Sequence, residues 1–143
     1  YVQRAIRCFN EAGVRGRKIV CYALYNYTDS PDEFFERIRD LMEWGVVSYP
    51  MRFEPLNSLK KNCFVGQKWT SEELEMVADA RRVLGTHGAF PPYEGLKIKF
   101  EKAHGFSEAF SLRTPVKKVK KMPIVQIGQL KSRLYAEKLC PVA

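Results

Sequence analysis

Residues 18–55 constrain the fold most, because they contain a strand, a helix and a second strand with their boundary residues in place. The apolar run 18–25 is rich in β-branched and aromatic residues, as expected of a central strand buried on both faces. A second apolar run, 46–51, follows the helix so closely that the chain must cross back beside the first strand, and such crossovers are right-handed. The sequence therefore predicts two adjacent parallel strands.

The helix between these strands has clear start and stop signals. Ser30, Pro31 and Glu33 supply an N-cap hydroxyl, a proline at the first helical position and the acidic residue of a capping box. Gly45 suits a left-handed C-terminal cap. Between these signals the apolar residues recur at helical spacing: Phe34, Phe35, Ile38, Leu41 and Met42.

Further helices are predicted on both sides of this unit. They are an apolar stripe over residues 2–12, a helix over 70–84 with a Thr70–Glu73 capping box, a weakly helical stretch 93–103 and a turn or short helix at 107–112. The fold class predicted is α/β, with parallel strands and packed helices in residues 1–112 and a C-terminal extension, 113–143. Because two parallel strands cannot bury both faces of a sheet, we expect a longer protein with more strands before Tyr1.

The extension carries almost all of the net charge of +8. Residues 113–143 hold eight basic residues and one acidic residue, which leaves 16 basic and 15 acidic residues before them. Such a segment is typical of contact with RNA, DNA or an acidic partner, and also of a solvated tail. Tyr135 is its one aromatic residue, which argues against specific binding of single-stranded nucleic acid.

The spacing of cysteine and histidine predicts no metal site. The four cysteines form no C-x-x-C or C-x-x-x-C-x-x-C pattern and are expected to be reduced and mostly structural thiols: Cys8, Cys21, Cys63 and Cys140. His87 and His104 have no helical partner, so no chemistry is assigned to them. Neither a signal peptide nor an apolar run of about 18–20 residues is found, which predicts a cytoplasmic protein.

One segment of the chain resembles the late strands of radical S-adenosylmethionine (SAM) enzymes: VCYALYNYTDSPDEFFERIRDLMEWGVVSYPMRFEPL, preceded by VQRAIRCFNEAGVRGRKI. In that family a strand with an apolar run and a ligand loop precedes a capped helix and a strand that ends in Pro-Met-Arg-aromatic. Residues 25–30 and 49–53 match these two positions. The resemblance is close over residues 2–55. From there to residue 112 only the general order of the predicted elements is similar, and the extension does not match.

The resemblance implies that the chain is the C-terminal portion of a partial (β/α)6 barrel. It also implies that the first four strands and the C-x-x-x-C-x-x-C loop for a [4Fe-4S] cluster lie outside this chain. In the family that cluster cleaves SAM reductively to a 5′-deoxyadenosyl radical, which abstracts a hydrogen atom from the substrate. This chain would contribute the side of the barrel that faces adenine, ribose and substrate, and it would be inactive alone.

The four candidate cofactor-binding residues lie at the predicted carboxyl ends of the strands, where α/β sheets bind small molecules. Asn26 could hold a ribose hydroxyl or an adenine edge, or could be a turn residue. Arg52 could clamp a carboxylate of SAM or substrate, or could pair with Glu54. Tyr25 and Met51 could form apolar walls for adenine, or belong to the core.

Residues 62–66 and Trp69 follow the second strand and could form either a lid over the mouth of a barrel or an apolar anchor. Two other functions remain open from the sequence. The first is a stand-alone basic module that binds nucleic acid through residues 113–143. The second is a half-barrel subunit that works through a cluster-bearing partner.

Overall fold

The computed structural model describes residues 1–112, so the basic extension and the functions predicted for it lie outside the described residues. These residues form an α/β unit with a two-stranded parallel sheet and packed helices. A single 3₁₀ turn, Gly16–Lys18, takes the place of the start predicted for the first strand. In chain order the other elements are α1 Val2–Glu11, β1 Val20–Tyr25, α2 Pro31–Glu43, β2 Val47–Arg52, α3 Ser71–Val83, α4 Glu94–Lys102 and α5 Phe106–Phe110.

The two strands pair in parallel, as predicted. Val20 pairs with Val47 and Tyr25 pairs with Arg52, so the strands begin and end together. The ladder continues past β2, where the Phe53 N–H donates to the Tyr25 carbonyl at 2.8 Å. The carboxyl ends of β1 and β2 therefore lie side by side.

The outer edge of β2 is closed by a segment that follows α3. Ser48 and Phe90 exchange two backbone hydrogen bonds, of 3.1 and 2.8 Å, in an isolated antiparallel bridge. Within residues 1–112 no segment pairs with the outer edge of β1. The sheet is thus closed on one side and open on the other.

The predicted boundaries of α2 are confirmed. The Glu33 N–H donates to Ser30 Oγ at 3.3 Å, and the Ser30 N–H donates to Glu33 Oε2 at 2.6 Å. Hydrogen bonds from Ser30 hold the pKa of the Glu33 carboxyl below its usual range. At the other end Gly45 has a φ of +75°, the left-handed conformation expected of the cap.

An aromatic core lies between one face of the sheet and the helices. Phe34 of α2 stands at its centre, with its ring centroid 4.9 Å from that of Tyr25 and 5.6 Å from that of Phe110. The largest fully buried side chains include four phenylalanines from α2, α4, α5 and the bridge to β2: Phe34, Phe90, Phe100 and Phe110. The largest fully buried side chains of the core therefore come from the helices and the bridge and not from the two strands.

The expectation that β1 is buried on both faces is wrong for the described residues. Ala23 and Tyr25 are buried against the helices, whereas Val20, Tyr22 and Leu24 on the opposite face are exposed, with Tyr22 70% exposed. The reason is that α2 covers only one face of the sheet, and successive side chains of a strand point to opposite faces. None of the helices in residues 1–112 is long and apolar enough to cross a membrane.

Candidate functional site

The structure places the four candidate residues at the strand ends on two faces of the sheet. Tyr25 and Arg52 are register partners, and Tyr25 is buried in the core. Met51 pairs with Leu24 and is 45% exposed on the opposite face. Because successive strand residues alternate between faces, Met51 cannot share a surface with Tyr25.

Asn26 joins the loops that follow the two strands. Its backbone is in the left-handed region, with a φ of 69°, and its side chain is fully buried. The amide Nδ2 donates to the carbonyls of Phe53 at 3.2 Å and Phe64 at 3.0 Å, and Oδ1 accepts from the Gly66 N–H at 2.7 Å. Asn26 is therefore both a turn residue and the centre of a hydrogen-bonded hub.

Gly66 lies directly on the turn after β1. A β-carbon at this position would stand 3.0 Å from the carbonyl oxygens of both Asn26 and Tyr27, closer than side chains normally approach backbone. Glycine suits this position, because a larger residue would force the two backbone carbonyls to shift. We call residues 26–29 and 62–66 together the rim, since they form a connected border at the strand ends.

Arg52 also holds the rim, through the second loop. Its Nη2 donates to the carbonyls of Phe64 at 2.8 Å and Asn62 at 3.2 Å, while Glu54 accepts a hydrogen bond from the Asn62 N–H. The Arg52 Nε is buried and has no hydrogen-bond partner among residues 1–112. A buried donor of this kind is costly to leave unpaired, and it suits an anionic or carbonyl acceptor.

Tyr25 is a core residue. Its ring packs against Phe34 and, at 5.5 Å between centroids, against Trp69. Burial raises the pKa of the Tyr25 phenol, and the nearby guanidinium of Arg81 partly opposes that effect. The phenol therefore remains neutral at ordinary pH, and its contribution to a site is structural support.

Trp69 is an anchor for the rim, which decides between the two roles predicted for it. The indole is buried, with its Nε1 donating to the Asp29 carbonyl at 2.8 Å. Asp29 Oδ2 accepts from Arg37 at 2.5 Å, and Arg37 also donates to the Leu24 carbonyl at 2.8 Å. The sequence identified Asp29 only as a residue at the start of a helix, and nothing in it indicated the pairing with Arg37.

An aromatic cluster that the sequence did not indicate lies on the rim. The ring centroid of Phe53 lies 4.5 Å from that of Tyr27 and 5.5 Å from that of Phe64. Tyr27 is half exposed, and it also lines a groove of about 590 Å³ beside the outer edge of β1. The groove is bounded by Val2 of α1 and by Arg37 and Trp44 on the α2 side.

No group of three or more potential metal ligands is found among the described residues. Cys8, Cys21 and Cys63 are free thiols, of which Cys8 and Cys63 are exposed, and Cys140 lies outside the described residues. Cys21 lines the groove, and burial raises the pKa of its thiol.

Comparison of the chain with protein-family models, curated proteins and solved structures finds no significant match. The assignment of Tyr25, Asn26, Met51 and Arg52 to a cofactor stays a prediction.

Proposed function

We propose that this chain is the C-terminal part of a radical SAM enzyme of the partial (β/α)6 barrel type. In that enzyme it contributes the side of the barrel that faces SAM and the substrate. The observation that carries the proposal is the pair of parallel strand ends under one fixed rim, centred on Asn26 and Arg52. Parallel α/β sheets bind small molecules beyond the carboxyl ends of their strands.

The cluster does not fit the described residues, because no set of ligands is gathered among them. The full chain also lacks a C-x-x-x-C-x-x-C loop, so we assign the ligands of the [4Fe-4S] cluster to a part of the protein outside this chain. When bound, the cluster supplies the electron that cleaves SAM, and the protein supplies binding and orientation.

Arg52 lies on the covered face of the sheet and Met51 on the uncovered face, so a SAM molecule that meets both lies across the strand ends. Arg52 keeps an unpaired buried donor, which suits the carboxylate of the methionine half. Met51 and Leu24 give an exposed apolar surface on the uncovered face of the sheet, which suits adenine. Asn26 contributes indirectly. Its amide already makes three hydrogen bonds within the protein, and these connect the two loops that form the rim.

The proposal is tested on the natural polypeptide, purified anaerobically from its source. Its intact mass and sequence should reveal a cluster-binding cysteine loop before Tyr1, and it should convert SAM into 5′-deoxyadenosine. Met51→Lys places a charge on the uncovered face and should weaken SAM binding by about tenfold or more, equivalent to about 1.4 kcal/mol.

Val83→Lys is the matched control, because Val83 is also an exposed apolar residue but lies at the end of α3. It should leave SAM affinity unchanged. A natural polypeptide that lacks the cysteine loop, or a Met51→Lys variant that binds SAM as tightly as the unmodified protein, would refute the proposal.

A further inference from the structure

The net positive charge of residues 1–112 lies in one segment. Residues 52–68 hold four basic side chains and one acidic side chain, whereas the other described residues hold 12 basic and 14 acidic side chains. This segment follows β2 and includes the second loop of the rim. The positive charge of the described residues is therefore concentrated at the carboxyl ends of the strands, where it attracts anionic ligands.

Two lysines of this segment keep their charge uncompensated. Lys60 and Lys61 are exposed and form no salt bridge with residues 1–112. Lys68 differs from them, because its Nζ lies 3.7 Å from Glu33 Oε2. A pair of adjacent free lysines suits a chain of phosphates, with one ammonium group for each of two phosphates.

The carboxylates that contact the rim are engaged with other groups of the protein. Asp29, within the rim, pairs with Arg37 at 2.5 Å, and Glu54 accepts the hydrogen bond from the Asn62 N–H. Each carboxylate is thus held by a donor of the chain itself. The net charge that the rim and its second loop present to solvent is positive.

The aromatic cluster of Tyr27, Phe53 and Phe64 lies next to the two lysines. Phe64 follows Lys61 by three residues, so no more than about 11 Å separates their Cα atoms. Tyr27 is 52% exposed, and the two phenylalanines are partly exposed. Exposed aromatic rings beside positive charges are the arrangement that binds single-stranded nucleic acid, because every base has a face that can stack.

The hub fixes this cluster in place before any ligand arrives. Asn26 Nδ2 donates to the carbonyls of both Phe53 and Phe64, and Arg52 Nη2 donates to the Phe64 carbonyl as well. The backbone that carries two of the three rings is therefore tied to the strand ends. A surface that is ordered in advance loses less conformational entropy on binding, which favours affinity.

We propose that the aromatic cluster and the lysine pair bind a single strand of nucleic acid, with a base stacked on Tyr27 and neighbouring phosphates paired with Lys60 and Lys61. A duplex suits the surface less well, because its bases are stacked on one another and do not present their faces. This inference rests on the proposed function in naming the substrate class of that site. The binding itself requires neither SAM nor the cluster.

An anionic membrane suits this surface less well, although Leu56 and Leu59 of the same loop are fully exposed. Segments that lie in a membrane interface are typically amphipathic helices with one continuous apolar face. Between the end of β2 and the start of α3 the structure has no helix. The two leucines therefore lie in an irregular loop and form no such face.

Binding is measured with the 143-residue chain and labelled oligonucleotides of about 12 nucleotides at several salt concentrations. In Lys60→Gln/Lys61→Gln the slope of log affinity against log salt should fall in magnitude by about 1.4, because two phosphate contacts are lost. Arg7→Gln/Lys18→Gln is the matched control, since it removes the same charge from two exposed residues outside the segment, and it should leave the slope unchanged. Residues 113–143 keep their charge in every variant, so a difference between the two pairs reports the lysine pair.

Tyr27→Leu tests the stacking. It removes the aromatic ring but keeps an apolar side chain, and it should weaken binding about fivefold or more. Tyr93→Leu is the matched control, because Tyr93 is 43% exposed and lies against Arg17, which precedes β1 at the opposite end of the strands. It should bind the oligonucleotide as tightly as the unmodified chain.

Single-stranded RNA and DNA of one sequence are compared in the same assay. Tighter binding of one identifies the ligand, and equal binding means that only bases and phosphates are recognised. The proposal is overturned if either rim variant binds like its control, or if a duplex binds as tightly as the single strand. Polyglutamate or vesicles of anionic phospholipid that compete as well as the oligonucleotide would also overturn it.

These outcomes are separable from those of the proposed function. Oligonucleotide binding that depends on Tyr27 and the lysine pair, in a natural polypeptide that does not bind SAM, would remove the proposed function and leave this surface in place. A natural polypeptide that cleaves SAM but binds no oligonucleotide at the rim would do the reverse.

Discussion

Replacement of Asn26 by glycine should lower the free energy of unfolding by about 3 kcal/mol. The variant loses three hydrogen bonds from a fully buried amide, and each such bond contributes about 1 kcal/mol net. Glycine tolerates the φ of 69° at this position, so no backbone strain adds to the loss. Small domains have about 5–15 kcal/mol of stability in total, so this loss is large and still measurable.

Asn26→Ala separates the backbone contribution. Alanine loses the same hydrogen bonds and also pays roughly 1 kcal/mol or more for the left-handed conformation. We expect Asn26→Ala to be less stable than Asn26→Gly by that amount. Both values come from urea unfolding followed by tryptophan fluorescence, to which Trp69, buried beside the rim, contributes together with Trp44. The slope of the transition should be the same in all variants.

Asn62→Gly is the matched control for this series. Asn62 also has a positive φ, of 61°, but it is exposed and its side chain makes no hydrogen bond to the described residues. Its replacement by glycine should change stability by no more than about 0.5 kcal/mol. If Asn26→Gly proves equally mild, the hub does not stabilise the rim and the reasoning from the three hydrogen bonds is refuted.

Three further predictions concern the rim and the helix caps. Gly66→Ala should destabilise by about 2 kcal/mol, because its β-carbon would meet two backbone oxygens at 3.0 Å, whereas Gly95→Ala, with open space around it, should be neutral or slightly stabilising in the same urea assay. Thr70→Ala should cost about 1 kcal/mol by removing the N-cap of α3, and Thr70→Ser should restore most of it. The pKa of Glu33 is lower in the folded protein, so its contribution to stability is present above the unfolded pKa and is lost as pH falls through the folded pKa. In Glu33→Gln the urea midpoint should therefore fall less steeply as the pH is lowered. If the midpoint falls as steeply as in the unmodified protein, another group causes the loss of stability in acid.

Local signals in the sequence predicted the helices and strands well. The capping boxes at Ser30 and Thr70, and the left-handed glycine at Gly45, lie where the structure has them. Each signal acts within one or two helical turns, so neighbouring residues in the sequence contain all the information that is needed. Parallel pairing followed from the helix between the strands, because a helical crossover returns the chain to the same end of the sheet.

The roles of the site residues followed from the sequence only in part. The carboxyl ends of the strands were correctly identified as one location. The partners of Asn26 lie 27 to 40 residues away, and those of Arg52 lie 10 and 12 residues away, beyond the range of local signals. The residue type left two roles open for Asn26, ligand binding and a turn. An amide side chain can offer the same donors and acceptor to a ligand or to the protein backbone.

The sequence by itself determined which segments become helices and strands, where they end and that the two strands run parallel. Only the tertiary structure decided that Tyr25 is buried, that Met51 is exposed and that Asn26 and Arg52 bind the rim. It also decided that, within the described residues, β1 has one edge without a partner strand and one face exposed to solvent. The physical reason is that caps and turns depend on nearby residues, whereas burial and hydrogen-bond partners depend on which distant segments cover each face.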